Sequence, residues 1–441
     1  MQIVLPVIMG LERVVAAELQ ELGHGDADIT LADAEVRLRA PTDRSALSRT
    51  IARLNLRLAC AERVLLELDQ AQLRSFDDLV AWIEGLPWED WVPESAEIRV
   101  GGYALDSVLH SVPDIQRLIK RGIVERLLER RYGGRARMVP ERREQGRILV
   151  RFALRNDCCS LRVDTSGTGL HKRGYRSEAM AAPLKETLAA ALVRLLHWPA
   201  RPPAELDPGC PWEAESLYDP YCGSGTIVIE AALRAAGAAP GRLRRFAGEK
   251  WGWLDQAAFA HERRLAREEA DAGIARIRAG QATGGALILG SDIDTDSLAI
   301  AGRNAGRAGV GELCSFFAQD ALRLDRGRLA AVCRTPRCLL ISNIPYGERL
   351  EDAEAAAGHA RALGRLALQN PETGELAPGL RLGILALARD FERNFGRPAD
   401  RRRKLYNGSL ACTYYQYLRP RPPAGGRAPV NRREKRGEAR R

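Results

Sequence analysis

From about residue 183 to residue 418 the chain alternates short apolar runs with longer stretches of helical periodicity, and this pattern leaves few folds open. "PLKETLAAALVRLL" reads as a helix with Pro183 in its first turn, where a missing N–H is tolerated. After it come "SLYDPYCGSGTIVIEAAL", "GALILGSDIDTDSLAIAGRNA", "LCSFFAQDAL", "RCLLISNIPYGERL", "RLGILALARD" and, past a basic hinge, "SLACTYYQYL". Strands interleaved with helices predict an α/β domain on a doubly wound, mainly parallel sheet. Ligands of such sheets bind outside the carboxyl ends of the strands. Four consecutive strands here end in polar residues: Asp219, Asp292, Asp320 and Asn343.

Each end has its own chemistry. In "YDPYCGSGT" a strand meets a turn with Gly223 and Gly225, and a helix starts near Thr226; glycines let the backbone turn sharply and approach a ligand. A dinucleotide fingerprint would need a third glycine at Val228 and an acid about twenty residues on, and neither is present. The second strand ends in Gly290-Ser291-Asp292-Ile293-Asp294, where Asp292 is the right group to accept both hydroxyls of a ribose. Asp294 reads as the N-cap of the next helix. At the fourth end Pro345 cannot donate to a ladder, so the strand stops. An amide (Asn343), a carbonyl (Ile344) and an aromatic ring (Tyr346) then crowd the strand's end. Methylation of a pyrimidine ring carbon would need a cysteine nucleophile. None lies in or beside "SNIPYGER"; Cys338 is inside the strand, and Cys222 in the glycine turn reads as structural. Lys185 and Glu186 suit either a pocket wall or the surface.

Residues 1–165 read as α+β. "MQIVLPVIMG" is a first strand entering the helix "GLERVVAAELQEL", and "RVLLELDQ" and "AEIRVGGYAL" are strands. "DIQRLIKRGIVERLLERRY" is an amphipathic helix carrying Arg117, Lys120, Arg121, Arg126, Arg130 and Arg131. A second basic cluster, "HKRGYR", mixes Lys172, Arg173 and Arg176 with Tyr175, a combination suited to phosphate contact and base stacking. The net charge of +10 is concentrated at the end: residues 419–441 hold nine Arg or Lys against Glu434 and Glu438, a net of +7, leaving +3 for the rest. So basic a segment, rich in Pro and Gly, is predicted to be disordered and to attract polyanions, which points to nucleic acid. No apolar run reaches the roughly 18–20 residues of a membrane span, and no signal-peptide pattern opens the chain. Nine cysteines without a Cys-x-x-Cys pair, with six scattered histidines, predict reduced thiols, a cytoplasmic protein and no metal.

Seven blocks in order carry a resemblance: "DTSGTGLHKRGYR", "APLKETLAAAL", "DPYCGSGTIVIEAAL", "FAGEKW", "GSDID" followed by "NAGRAGV", "NIPYGERL" and "KLYNGSLACTYYQY". Together they resemble the bacterial THUMP-domain RNA methyltransferases of the class I S-adenosylmethionine-dependent fold, which modify the exocyclic N2 amine of guanine. The resemblance implies a ferredoxin-like part over 1–50, a THUMP-like RNA-binding module over 51–165, a methyltransferase domain over 166–418 and the tail beyond. It implies a cofactor, S-adenosylmethionine, held by Asp219, Tyr221, Cys222, Gly223, Ser224, Gly225, Thr226, Asp292, Ile293, Asp320 and Asn343. Catalysis falls to Asn343, Ile344, Pro345 and Tyr346, and RNA contact to Lys172, Arg173, Tyr175 and Arg176. The substrate it favours is 23S rRNA over tRNA, acted on by a monomer; DNA adenine methylation is the rival within the same chemistry. One departure is Ile344, where the family motif has proline; only the backbone carbonyl is needed there. Another is the long stretch 236–290, whose "FAGEKWGW" reads as an elaboration near the mouth of the site.

Overall fold

A computed structural model describes residues 1–134, 138–142, 146–176, 184–199, 215–345, 350–387 and 390–420. The chain divides into two compact units: residues 1–173 with 239–268, and residues 174–238 with the chain from 269 onward.

The first unit is built on β1 (Gln2–Pro6), α1 (Glu12–Glu21), β2 (Ile29–Ala32), β3 (Glu35–Arg39), α2 (Arg44–Arg57) and β4 (Leu65–Gln72), then α3 (Phe76–Gly85), α4 (Trp88–Trp91), β5 (Glu97–Leu105), α5 (Val112–Tyr132), β6 (Arg147–Arg155) and β7 (Cys158–Asp164). One sheet joins all seven strands in the order β2-β3-β1-β4-β7-β6-β5. Only β5 and β6 run parallel. Alternation along the strands separates two faces. Ile3, Leu38, Leu66, Val163, Val150 and Ile98 are buried on one. Arg37, Glu35, Glu67 and Arg162 pair on the other, with Arg162 2.7 Å from Glu35.

A boundary at residue 50 does not exist as a break in this unit. Residue 50 lies inside α2, and β4 pairs directly with β1, Gln2 opposite Glu67. The turn after β7 is also interior: Asn55 of α2 donates to Thr165 and accepts from Ser166, and all three are buried. The "FAGEKWGW" segment belongs to this unit too. The Gly248 N–H donates to the Thr165 carbonyl, Trp251 Nε1 to the Arg147 carbonyl and Trp253 Nε1 to the Trp91 carbonyl. Its rings fill this unit's own structure.

The second unit contains α6 (Glu186–Leu195), β8 (Glu215–Asp219), α7 (Thr226–Ala235), the later part of α8 (Gln256–Ala282), β9 (Ile288–Asp292), α9 (Thr295–Arg307), β10 (Cys314–Ala318), α10 (Arg326–Cys333) and β11 (Arg337–Asn343). It continues with α11 (Leu350–Ala367), the small hairpin β12 (Leu368–Asn370) and β13 (Glu375–Leu376), β14 (Leu380–Ala386), α12 (Phe391–Phe395), β15 (Arg401–Asn407) and β16 (Leu410–Tyr417). The sheet order is β10-β9-β8-β11-β14-β16-β15. The first five are parallel; β16 and β15 complete it antiparallel. The basic hinge expected before the last strand is itself a strand, β15. It sits at the sheet's edge, where Arg401, Arg402 and Lys404 face solvent while Leu405 and Asn407 are buried. Charge on an edge strand discourages pairing with other chains, which is why the segment does not look like a strand in sequence. The first described helical residue of α6 is Glu186; Pro183 lies outside the described residues.

Candidate active site

The four strands singled out by their polar ends are neighbours in the sheet, β10, β9, β8 and β11 in that order, and all parallel. Their carboxyl ends therefore share one edge. The chain leaves β8 towards β9 and β10, then crosses back to β11, so the switch of direction falls between β8 and β11. That is where an open sheet of this type opens a ligand crevice.

The glycine turn is shaped by backbone demands. Gly223 and Gly225 have φ of +50° and +80°, the region that side chains disfavour. Gly225 is also sterically required, since a Cβ there would lie 2.9 Å from Ala301 Cβ and 3.1 Å from the Phe316 ring. At Gly223 a Cβ would meet nothing within 4 Å, so the turn presents bare backbone to open space. The Gly223 N–H donates to Asp292 Oδ2 at 2.9 Å, and the Asp294 N–H to Asp292 Oδ1 at 3.1 Å. Each Asp292 oxygen keeps a second lone pair, so the carboxylate is oriented and still able to accept. Beside it Ile293 is 72% exposed, an apolar side chain presented to solvent at the strand's end. Asp294 caps α9, accepting from Asp296 and Ser297, as the sequence predicts.

Asp219 lies deepest. Its carboxylate is fully buried, accepts from the Ser342 hydroxyl at 2.6 Å and from the Tyr221 N–H at 3.1 Å, and has its pKa raised to about 7 by burial, with Asp292 adding to the rise. Ser342 precedes Asn343, so this bond ties the glycine turn to the end of β11. The Tyr221 hydroxyl meets His359 Nδ1 of α11 at 2.9 Å, and the two rings pack edge to face. Burial pushes the Tyr221 hydroxyl up and the His359 ring down, so both are neutral at pH 7. Sequence reading missed Ser342 and His359; each meets its partner across more than a hundred residues of chain.

The other expected cofactor residues divide. Asp320 lies two residues past β10 and caps a short turn, accepting from the Leu322 N–H at 2.9 Å. Cys222, Ser224 and Thr226 are buried. Burial pushes the Cys222 thiol well above its ordinary pKa, which keeps it protonated at neutral pH. Asn343 is half-buried at the last position of β11, opposite Leu385 of β14. Ile344 donates its N–H to the Leu385 carbonyl and buries its side chain in the core with Leu340 and Ile384. That packing explains an isoleucine in place of proline. Pro345 is exposed; Tyr346 lies outside the described residues. Among the described residues no cluster of His, Cys, Asp and Glu is placed to hold a metal ion.

Of the four expected RNA contacts, three are held by the protein itself. Arg173 is 2% exposed and donates to the carbonyls of Leu170 and Ala59 within the first unit. Tyr175 is equally buried and donates to Glu230 at 3.1 Å in the second unit. Arg176 donates to the Leu184 carbonyl and to the Thr226 hydroxyl at 2.6 Å, bracing the first turn of α7. Of the four, only Lys172 faces solvent. On α5, Arg117, Lys120, Arg121 and Arg126 pair with Asp114, Glu141, Glu125 and Glu89. Arg131 donates to the carbonyls of Glu89 and Val92. The positive field expected of this helix is largely cancelled by its own neighbours.

A doubly wound seven-stranded sheet with a glycine turn after β8 and an acid at the end of β9 is the class I methyltransferase architecture. Residues 173–416 match the UPF0020 family, described as an RMKL-like methyltransferase domain, and residues 2–65 match the RlmL ferredoxin-like domain; the chain belongs to this family. "Putative RNA methyltransferase YpsC" of Bacillus subtilis (strain 168) is 34% identical over 411 residues, covering 93% of this chain and 94% of that protein. The structure of SMU.472, solved in complex with SAH, is 31% identical with a TM-score of 0.76, covering 96% of this chain and 99% of that one. A Listeria monocytogenes str. 4b F2365 structure described as "a predicted N6-adenine-specific DNA methylase" is 34% identical with a TM-score of 0.76, over 94% and 95% of the two chains.

Proposed function

We propose that this chain is an S-adenosylmethionine-dependent RNA methyltransferase acting on the exocyclic N2 amine of a guanine, in 23S rRNA before tRNA. The observation that carries the reading is the pairing at one sheet edge of Asn343, on β11, with the Asp292-bound glycine turn, joined through Ser342 and Asp219. The residues suit the cofactor: an open glycine turn for the methionine end, oriented acceptors on Asp292 for a ribose, and an exposed apolar Ile293 beside them for a flat purine.

S-adenosylmethionine supplies a methyl group on a sulfonium when bound. The protein's task is to align an amine with it and to make that amine nucleophilic. A guanine amine is a poor nucleophile because its lone pair is delocalised into the ring. Asn343 Oδ1 and the Ile344 carbonyl each accept one amine N–H, which favours a pyramidal nitrogen and stabilises the positive charge that develops there. Pro345 fixes the turn that aims the carbonyl. Tyr346 stacks on the extruded base. No strong base is required, because the nitrogen's proton becomes acidic on methylation and leaves to water.

DNA adenine is the second reading, favoured by the description of the Listeria relative and by a four-residue motif that serves adenine amines equally. Nucleoside mass spectrometry decides between them. RNA and DNA isolated with and without the gene are digested and compared; N2-methylguanosine lost from the large-subunit rRNA alone is the expected result. Loss of N6-methyladenine from DNA, with RNA unchanged, overturns the reading.

A further inference from the structure

The first unit carries a basic surface that the buried hexapeptide does not explain. β5 is the edge strand of its sheet and runs parallel to β6, with Tyr103 opposite Ala153 and Leu105 opposite Arg155. Even-numbered β5 residues face the core side, where Ile98 is fully buried. Odd-numbered residues face away from it. A Cβ added at Gly101 on that side would meet nothing within 4 Å, so the face is open there. Tyr103 is 43% and Leu105 49% exposed, both large and neighbouring on one strand. The Arg155 guanidinium lies 5.9 Å from the Tyr103 ring centroid and donates to its hydroxyl.

Charge on this strip is unbalanced. Arg99 and Arg147 share one carboxylate, Glu97, and Arg151 shares Asp164 with Arg63. With Arg155, five cations stand against two acids. Arginines on an edge strand discourage edge pairing. That role needs charge along the edge, however, and does not account for an exposed aromatic ring held beside a guanidinium on the sheet's face. Cations flanking an exposed ring that can stack are the arrangement by which sheet surfaces bind single-stranded nucleic acid.

We propose that the open face of β5 and β6 binds a single-stranded segment of RNA, with Tyr103 and Arg155 stacking on a base and Arg99, Arg147 and Arg151 contacting phosphates. The polyanion is taken to be RNA on the strength of the function proposed above.

The test uses the full chain and a fluorescent single-stranded RNA of about a dozen nucleotides, with the matching DNA as control, in binding titrations at several salt concentrations. Tyr103→Ala is expected to weaken RNA binding about tenfold or more at constant salt slope, as lost base stacking does. Arg99→Gln with Arg147→Gln is expected to lower the slope by about one to two. Wild-type RNA affinity and slope in both variants overturn the surface and leave the RNA reading standing. Equal weakening for RNA and DNA, with the DNA bound as tightly as the RNA, keeps the surface and removes the support for RNA. If the unaltered chain binds neither strand, both fall. Unchanged thermal unfolding of each variant shows that the loss is one of contact.

Discussion

Two polar regions of this chain look equally promising in sequence and behave oppositely in structure. The acids and amide at the ends of β8, β9, β10 and β11 gather at one sheet edge, whereas two of the three basic residues of "HKRGYR", Arg173 and Arg176, are engaged by groups of the protein itself. The difference is one of context. A polar residue that ends a buried parallel strand has its position dictated by the sheet, and the sheet is dictated by the apolar run before it. A basic residue in a loop has no such constraint; Arg173 and Arg176 are as well suited to carbonyl oxygens as to phosphates, and the protein uses them so.

The largest expected effect sharpens the internal half of this comparison. Arg173→Ala leaves two buried carbonyls, of Leu170 and Ala59, without their charged donor. Urea denaturation should register a loss of about 3 kcal/mol or more, with RNA affinity changed only as far as folding is. Unchanged stability with weakened RNA binding would return the hexapeptide to a contact role. Next in size, Asp292→Ala should weaken S-adenosylmethionine binding by roughly 1.5–3 kcal/mol in calorimetric titration, the worth of charge-assisted hydrogen bonds. Wild-type affinity would reassign the ribose contact.

Asp219 gives a pH signature. Its pKa, raised from 3.8 to about 7, means that the folded chain retains a proton that the unfolded chain releases in that range. Stability contributed at this site therefore falls as pH rises through the window. Asp219→Asn keeps an acceptor for Ser342 and Tyr221 and should flatten the fall in melting temperature between pH 5 and 8. An identical slope in the variant would place its source elsewhere. The smallest effect concerns the tail. Deleting residues 421–441 should lower RNA affinity and reduce its salt dependence, because phosphate contacts release counterions. An unaltered slope would leave the tail a solubilising role.

What was legible in the sequence follows the same division. The alternation located the five parallel strands of the second sheet, and the glycine turn, Asp292, the Asp294 cap and Asn343 stand where their local patterns put them. Ser342 was not legible, because nothing in "LLISNIPY" announces Asp219 as its partner 123 residues away. The Tyr221–His359 contact escaped for the same reason, with His359 one residue in an alanine-rich helix. β15 was hidden by its charge, and the clip formed by residues 239–268 by its distance in sequence from the unit it completes.

The central claim is that Asn343 acts on the amine in the transition state and not on the cofactor pocket. Single-turnover methylation of substrate RNA by Asn343→Ala, with cofactor and RNA dissociation constants measured on the same variant, tests it directly. The account predicts a rate lower by roughly two or more orders of magnitude with both dissociation constants nearly unchanged. A wild-type rate would contradict it and reduce "ISNIPYGERL" to the end of a strand.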